Sequence, residues 1–518
     1  MTNLTADLVH ETYRSFIDRI ASAEAAATAD EWMFLIDDWN TFNSFVWSEM
    51  SRVGMRADSG VGTPDDDADS DRISIEVYPI LDDEMQKLFG PLLTSRHRAA
   101  VAEHHGNHFF NLLEQKQSTF DDESTREAMH TIATAYARRV NAVRPIFDGQ
   151  AVTRGYVESL CRSPDAKQRR DAFIAMNDAL LVDLDKNALD VDELIRLQSA
   201  QALSLGFPDF VGAAYASMGR TDFGPDDLER FHDSIERHFV PIASRLVRDH
   251  ANRLGAERLP IADMFYDPAH SLPRGIAGPV DTLVDRMKSL FDALSPALGE
   301  HFRRLVDWGT IDIEQRIGKH PGASCATLFD EGRVAVTMNA VGDASDVTVL
   351  LHEMGHAFQV LESRDIPLIT LRRPGRELAE VHSTAMEFLG ARYAEHVLPP
   401  QYCDQYRRNL WHTSLRPICA ITRTDVYQHW IHRNPESGTA DRETKWIELE
   451  KRFTPGIDWT GFERYRRTPI YATPQIYRIP FGMVDYALAK IVAMQIARID
   501  HDDHERAMGV YIDLCRLG

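Results

Sequence analysis

His352, Glu353 and His356, in the stretch Leu351-His-Glu-Met-Gly-His-Ala-Phe-Gln359, form an H-E-x-x-H pattern. Residues four apart on a helix share a face, with Cβ atoms roughly 5–6 Å apart. Two imidazoles at that spacing can grip one Zn²⁺, and the Glu beside the first His can reach a water on the metal as general base. A site built from two His also needs a third protein ligand and an open position for water. The pattern is short and the chain holds 21 His, so the flanking residues decide its meaning.

Those flanks predict the elements that would position it. Gly342-Asp-Ala-Ser-Asp346 is a turn ending in residues able to cap a helix, and Val347, Leu350, Leu351, Met354 and Phe358 follow at helical spacing. Pro374-Gly375 punctuates the chain before a second helical run, Glu377 to about Val397. On that run Glu377, Glu380 and Glu387 fall close to one face. Glu380, 24 residues after His356, is the candidate third ligand; the alternative is a solvated acidic face. Upstream, Val334, Val336 and Met338 alternate with Arg333, Ala335 and Thr337, the period of a strand.

Taken in order, four stretches resemble the catalytic core of the oligoendopeptidase F and thimet oligopeptidase family of zinc metallopeptidases. They are Lys319-His-Pro-Gly-Ala-Ser-Cys325, Arg333-Val-Ala-Val-Thr-Met-Asn339, Asp346 through Gln359, and Glu380-Val-His-Ser-Thr-Ala-Met-Glu-Phe388. The likeness continues in Leu205-Gly-Phe-Pro-Asp-Phe210, Met218-Gly-Arg-Thr-Asp-Phe223, Pro480-Phe481 and Asp485-Tyr-Ala-Leu-Ala489, so it covers roughly residues 165–500.

The resemblance implies one Zn²⁺ per chain on His352, His356 and Glu380, with Glu353 as base. It implies a mainly α, two-lobed fold with a small β-sheet beside the zinc-binding helix and a deep central channel that admits short peptides. An N-terminal helical lobe over residues 1–190 would lead into a catalytic domain over 191–518. Glu387, His382 and Ser383 are candidates to orient the ligands. The strand carrying Ala335 and Met338 would pair with the substrate backbone.

One segment departs from the family pattern. In Gln475-Ile-Tyr-Arg-Ile-Pro-Phe-Gly-Met-Val-Asp-Tyr486, Gln475 stands where a His is expected, and Gly482 and Met483 where Tyr residues are expected. Such groups donate hydrogen bonds to the tetrahedral oxyanion, and losing one costs about 2.7–4 kcal/mol. Gln475 can still donate, and Tyr477, Tyr486 or Tyr471 could substitute. Three functional readings stay open. They are a zinc peptidase cleaving short unstructured peptides, a relative turned to one amide-containing small molecule or biosynthetic peptide, and a catalytically weak peptide binder.

Composition bounds the rest. With 518 residues, 44% hydrophobic, the chain can bury a large core. Asp226 to Arg253 and Gly278 to Leu305 read as helices, and strand signals are few. Asp65-Asp-Asp-Ala-Asp-Ser-Asp71 reads as a solvated loop; Ser70 stands where a calcium loop needs Gly. Glu103-His-His-Gly-Asn-His108 reads as surface histidines on an interrupted helix. A net charge of −22 argues against nucleic acid, whose phosphates need a basic face. Five scattered cysteines without a C-x-x-C suit reduced thiols and a cytoplasmic setting. The N-terminus shows no basic start with an apolar core, and no apolar run approaches the roughly 20 residues that cross a bilayer. Nothing in the sequence sets the oligomeric state.

Overall fold

The computed structural model describes residues 4–23, 28–117, 123–220, 222–316, 319–320 and 322–518. Thr221 and Pro321, within two of the motifs above, lie outside the described residues. The fold is mainly α with a few short strands. No described helix is long and apolar enough to cross a membrane.

Packing divides the chain into two compact units, each discontinuous in sequence. The first comprises Met1–Phe120, Leu272–Leu410 and Ala489–Gly518; the second comprises Asp121–Ser271 and Trp411–Leu488. None of the four cuts falls at residue 190, the boundary expected from the sequence, which lies inside the helix Leu184–Ser204.

In the first unit, three strands form one small sheet: β1 (Ile311–Glu314), β2 (Ala323–Leu328) and β3 (Arg333–Ala340). The order is β1-β3-β2, with β1 parallel and β2 antiparallel to the central β3. Beside it run α1 (Ala344–Glu362) and α2 (Arg376–Ala391). Leu350, Leu351, Met354 and Phe358 of α1 are fully buried with Val334 and Val336 of β3 and Met386 and Leu389 of α2. Each such side chain stabilises by about 1.5–3 kcal/mol through water removal. Phe358 also meets Phe291 edge-on, centroids 5.2 Å apart. A second apolar cluster gathers Trp39, Phe89 and Phe109, with Trp39 Nε1 donating to the Tyr13 hydroxyl at 2.8 Å.

Three expectations need refinement. The acidic run is a helix, Pro64–Arg72, not a loop. Thr63 caps it, Pro64 pre-sets its first turn, and Asp65 to Asp67 sit where the helix dipole favours negative charge. The stretch Gly278 to Leu305 is two helices, Leu283–Leu294 and Pro296–Trp308. They break at Ser295, extended with φ −161° ahead of Pro296, because a residue before proline avoids helical backbone. The helix after Pro374-Gly375 ends at Ala391 instead of near Val397.

In the second unit the expected helix from Asp226 to Arg253 is present as Pro225–Ser234, a π-helical Ile235–Phe239 and Val240–Arg253. The π turn sits where Pro241, which has no N–H and whose ring crowds the preceding turn, enters the helix. The long helix α3 (Pro400–Arg433) contributes residues to both units.

Candidate metal centre

The N-terminus of α1 is fixed by Asp346, whose Oδ2 accepts the main-chain N–H groups of Val341, Gly342 and Asp343 at 2.7, 2.6 and 3.0 Å. This ties the incoming turn and the N-cap residue Asp343 to the first turn of the helix. Two turns on, the helix presents His352, Glu353 and His356. At Gly355 the neighbouring helix comes so close that a Cβ would sit 2.5 Å from the His382 carbonyl oxygen and from Ser383 Cα. Only glycine permits that approach, and it brings Glu380 and Glu387 of α2 against the imidazoles.

The His352 and His356 rings lie edge to face, centroids 5.0 Å apart and 83° between planes. Donor atoms of His352, His356 and Glu380 all lie within 4.8 Å of one another. His352 Nδ1 donates to Glu387 Oε1 at 2.7 Å, while its Nε2 faces Glu380 Oε2 at 3.5 Å. Ser383 Oγ donates to the Glu380 main-chain oxygen at 3.0 Å and lies 3.2 Å from Glu380 Oε2.

Proton affinities show what this crowding does. Burial opposes charge on His352, but hydrogen bonds to Glu380 and Glu387 outweigh it and push its pKa up to about 9. Burial, with His352 adding to it, drives His356 down to about 4. Burial, reinforced by the charge of Glu380, lifts Glu353 to about 7. Glu380 is held below its ordinary value: burial raises it, but His352 hydrogen bonding leads the opposing effects. The carboxylates thus call for a cation at His352, and a proton supplies it. A divalent metal on two nitrogens and one carboxylate oxygen would displace that proton, which is the donor chemistry zinc favours. Glu353 stands outside the donor set, so its carboxyl stays available. A cleft of about 440 Å³ opens here, lined by Met338, Thr348, Val349, His352, Glu353 and Glu387 among others.

The structure therefore brings together His352, Glu353, His356, Glu380 and Glu387. His382 does not take the orienting place on His352 Nδ1, which belongs to Glu387. It is fully buried, its pKa pushed down to about 4 by burial, and its carbonyl forms the wall against Gly355. Met338 lines the cleft, whereas Ala335 is buried in the sheet opposite Ala326.

The expectation that β3 pairs with a substrate backbone is corrected by its central position. Over Val336–Thr337 one edge meets Ile311 and Asp312 of β1 and the other meets Cys325 and Ser324 of β2. Alternation of side chains reports the faces of a strand and says nothing about its edges. Sequence reasoning also left Lys319 without a role. The buried Lys319 Nζ donates to the carbonyls of Asp312, Glu314 and Met338, tying β1 to β3. Its presence in a chemistry-bearing motif was the available signal. Cys325 is half-buried, and burial together with the charge of Glu353 pushes its thiol well up, so it is an inert neighbour.

The remaining candidates belong to the second unit. Gln475 is exposed on the short helix Gln475–Arg478. Tyr477 is 1% exposed, its ring 6.2 Å from that of Tyr136, so its hydroxyl is enclosed in that unit's core. Tyr471 is likewise buried, while Tyr486 is 40% exposed. The segment is pinned from within the unit. Gln428 Nε2 donates to the Ile476 carbonyl at 2.7 Å, and Arg220 Nη2 donates to the Phe481 carbonyl at 2.8 Å and Asp485 Oδ1 at 2.5 Å. Phe481 is held at φ +62°, a left-handed backbone that costs a non-glycine residue about 1–3 kcal/mol.

Residues 294–509 match the model of peptidase family M3. A search of curated proteins finds no match. Among solved structures, one described as an oligoendopeptidase F shares 25% identity at a TM-score of 0.89, covering 100% of this chain and 91% of that one. PZ peptidase A with an inhibitor shares 24% identity at 0.90, covering 100% and 92%. An oligoendopeptidase F from Bacillus anthracis shares 23% at 0.85, covering 100% and 90%. These likenesses bear out the family resemblance read from the motifs and the mainly α fold.

Proposed function

We propose that this chain, whose residues 294–509 match the model of peptidase family M3, is a zinc-dependent hydrolase that cleaves amide bonds in short unstructured peptides. The observation that carries this reading is the gathering of His352, His356 and Glu380 donor atoms beside a Glu353 carboxyl outside the set. Zn²⁺, when bound by those three residues, polarises the scissile carbonyl and acidifies a water. Glu353, lifted to about 7 by burial, accepts the water's proton at its carboxylate and returns it to the leaving amine. Glu387 fixes the His352 ring through Nδ1, so that Nε2 faces the metal position. The cleft lined by Met338 and Val349 takes a substrate side chain. Of the sequence-expected oxyanion donors, Gln475 and Tyr486 are exposed on the second unit, whereas the Tyr477 hydroxyl is enclosed by that unit's own core. The free cysteines support a reducing, cytoplasmic setting.

Gly482 and Met483 favour a second reading, in which the same centre serves one amide-containing metabolite or pathway peptide. Cleavage of a random oligopeptide library, read by mass spectrometry for wild type and Glu353→Gln, separates the two. Cleavage that vanishes in the variant supports the peptidase. An intact zinc content with no cleavage of any library member removes the general peptidase and leaves the dedicated substrate.

A further inference from the structure

Among the described residues, three groups of imidazoles and carboxylates bring three donor atoms within 4.8 Å of one another. The first is the centre just described. The second, Asp267 with His270 and His412, is already neutralised. Arg253 donates to both Asp267 oxygens, at 2.9 and 2.5 Å. The two rings stack nearly parallel, centroids 3.9 Å apart and 18° between planes. Stacked imidazoles send their in-plane lone pairs side by side instead of to a common point, and a carboxylate forked by a guanidinium has little charge left for a metal.

The third group, His232, Asp425 and His429, differs on every count. All three are buried, with exposures of 6%, 0% and 4%. His232 comes from the helix Pro225–Ser234; Asp425 and His429 are one turn apart on α3. The two rings lie edge to face, centroids 5.2 Å apart at 81°, almost the disposition of His352 and His356. His232 Nε2 and His429 Nδ1 lie 2.7 and 3.4 Å from the same oxygen, Asp425 Oδ2. The far nitrogen of His429, Nε2, lies 3.1 Å from the Tyr215 hydroxyl. His352 shows the same division of labour, one nitrogen on an oxygen partner and the other 3.5 Å from a carboxylate. That division is how proteins orient an imidazole toward a metal.

The charge balance points the same way. Asp425 forms its ion pairs only with these imidazoles among the described residues, and its Oδ1 is buried without a hydrogen-bond partner. A fully buried carboxylate with an unanswered oxygen needs a positive charge close by. In the metal-free tautomer His429 Nδ1–H donates to the Asp425 main-chain carbonyl at 2.9 Å; donation from Nε2–H to Tyr215 frees Nδ1 as a ligand. A cleft of about 320 Å³ reaches His232 and His429, giving an ion a way in. Of the carboxylates that line it, Glu229 and Glu236 are held by Arg433 and Arg452, and Asp233 also lies along it.

We propose that His232, Asp425 and His429 form a second divalent transition-metal site, of the zinc-binding class, that clamps the helix Pro225–Ser234 to α3. The probe is Zn²⁺ itself, supplied to the full chain at about 1 µM free ion, enough to fill a structural site. Wild type is expected to hold about two zinc ions per chain and the His352→Ala/His356→Ala double variant about one. Adding Asp425→Asn to the double variant should empty it. His232→Gln asks the same question from the other helix if loss of the buried carboxylate prevents folding. The remaining ion should also raise the unfolding midpoint of the double variant. A double variant that binds no zinc overturns the proposal in favour of a metal-free hydrogen-bonded network. Zinc that survives both Asp425→Asn and His232→Gln overturns it by placing the ion elsewhere.

Discussion

In the first unit Glu353, Glu380 and Glu387 crowd around two imidazoles beside an open cleft, and proton affinities move apart, from about 4 at His356 to about 9 at His352. In the second unit Arg220 and Asp485 are equally buried, yet each charge is met by the other at 2.5 Å, and Arg220 adds a main-chain carbonyl and the Tyr215 ring at 4.8 Å. Both regions put charge where water is scarce. The difference is charge balance: the Arg220 pair is neutral as it stands, although Arg220 Nη1 is buried without a hydrogen-bond partner, whereas the α1–α2 cluster holds more carboxylate than its own cations can answer. A neutral pair contributes to architecture, and breaking it leaves an uncompensated charge. An unbalanced cluster has capacity left for a metal and for proton transfer.

Variants can break this contrast. Glu353→Gln should lower kcat by about 10²–10⁴-fold, the range for losing a general base, with zinc content and unfolding midpoint close to wild type. A matched loss of metal would show that Glu353 belongs to the donor set. Arg220→Ala should do the opposite and destabilise the fold by about 3–5 kcal/mol in denaturant unfolding, because the buried Asp485 charge loses its guanidinium. A stability change near zero would mean that the buried Asp485 charge does not depend on Arg220.

Two smaller effects sharpen the comparison. Glu387→Gln keeps an oxygen for His352 Nδ1 but removes its charge. Metal affinity, measured by competition with a chelator, should fall about 10–100-fold while the unfolding midpoint barely moves. Gly355→Ala forces α1 and α2 apart at the His382 carbonyl and should cost about 1–3 kcal/mol of stability together with some metal affinity. A stabilising Gly355→Ala would contradict the close crossing.

How much of this was legible in the sequence depended on whether the signal was local. The helix of His352 to His356, its capping turn and the glutamates of α2 follow from spacing, since a 3.6-residue period fixes which side chains share a face. The strand Arg333–Asn339 was equally plain, but its central place in the sheet was not, because edges are decided by β1 and β2 arriving from elsewhere in the chain. Asp65 to Asp71 misled because the run has no apolar period; Thr63 and Pro64, the residues that start the helix, precede it. Tyr477 misled for a tertiary reason. Nothing near it in sequence shows that Tyr136 and Tyr427 enclose its hydroxyl. His232, more than 190 residues before Asp425, was invisible as its partner for the same reason.

The most direct test of the central claim is the activity of the full chain on a susceptible oligopeptide after a chelator has stripped its metal and zinc has been returned stepwise. Hydrolysis should be lost on stripping and restored by zinc in wild type, and should not return in His356→Ala. Hydrolysis that persists in the stripped protein, or that zinc restores equally in His356→Ala, would contradict a metal centre built on His352, His356 and Glu380.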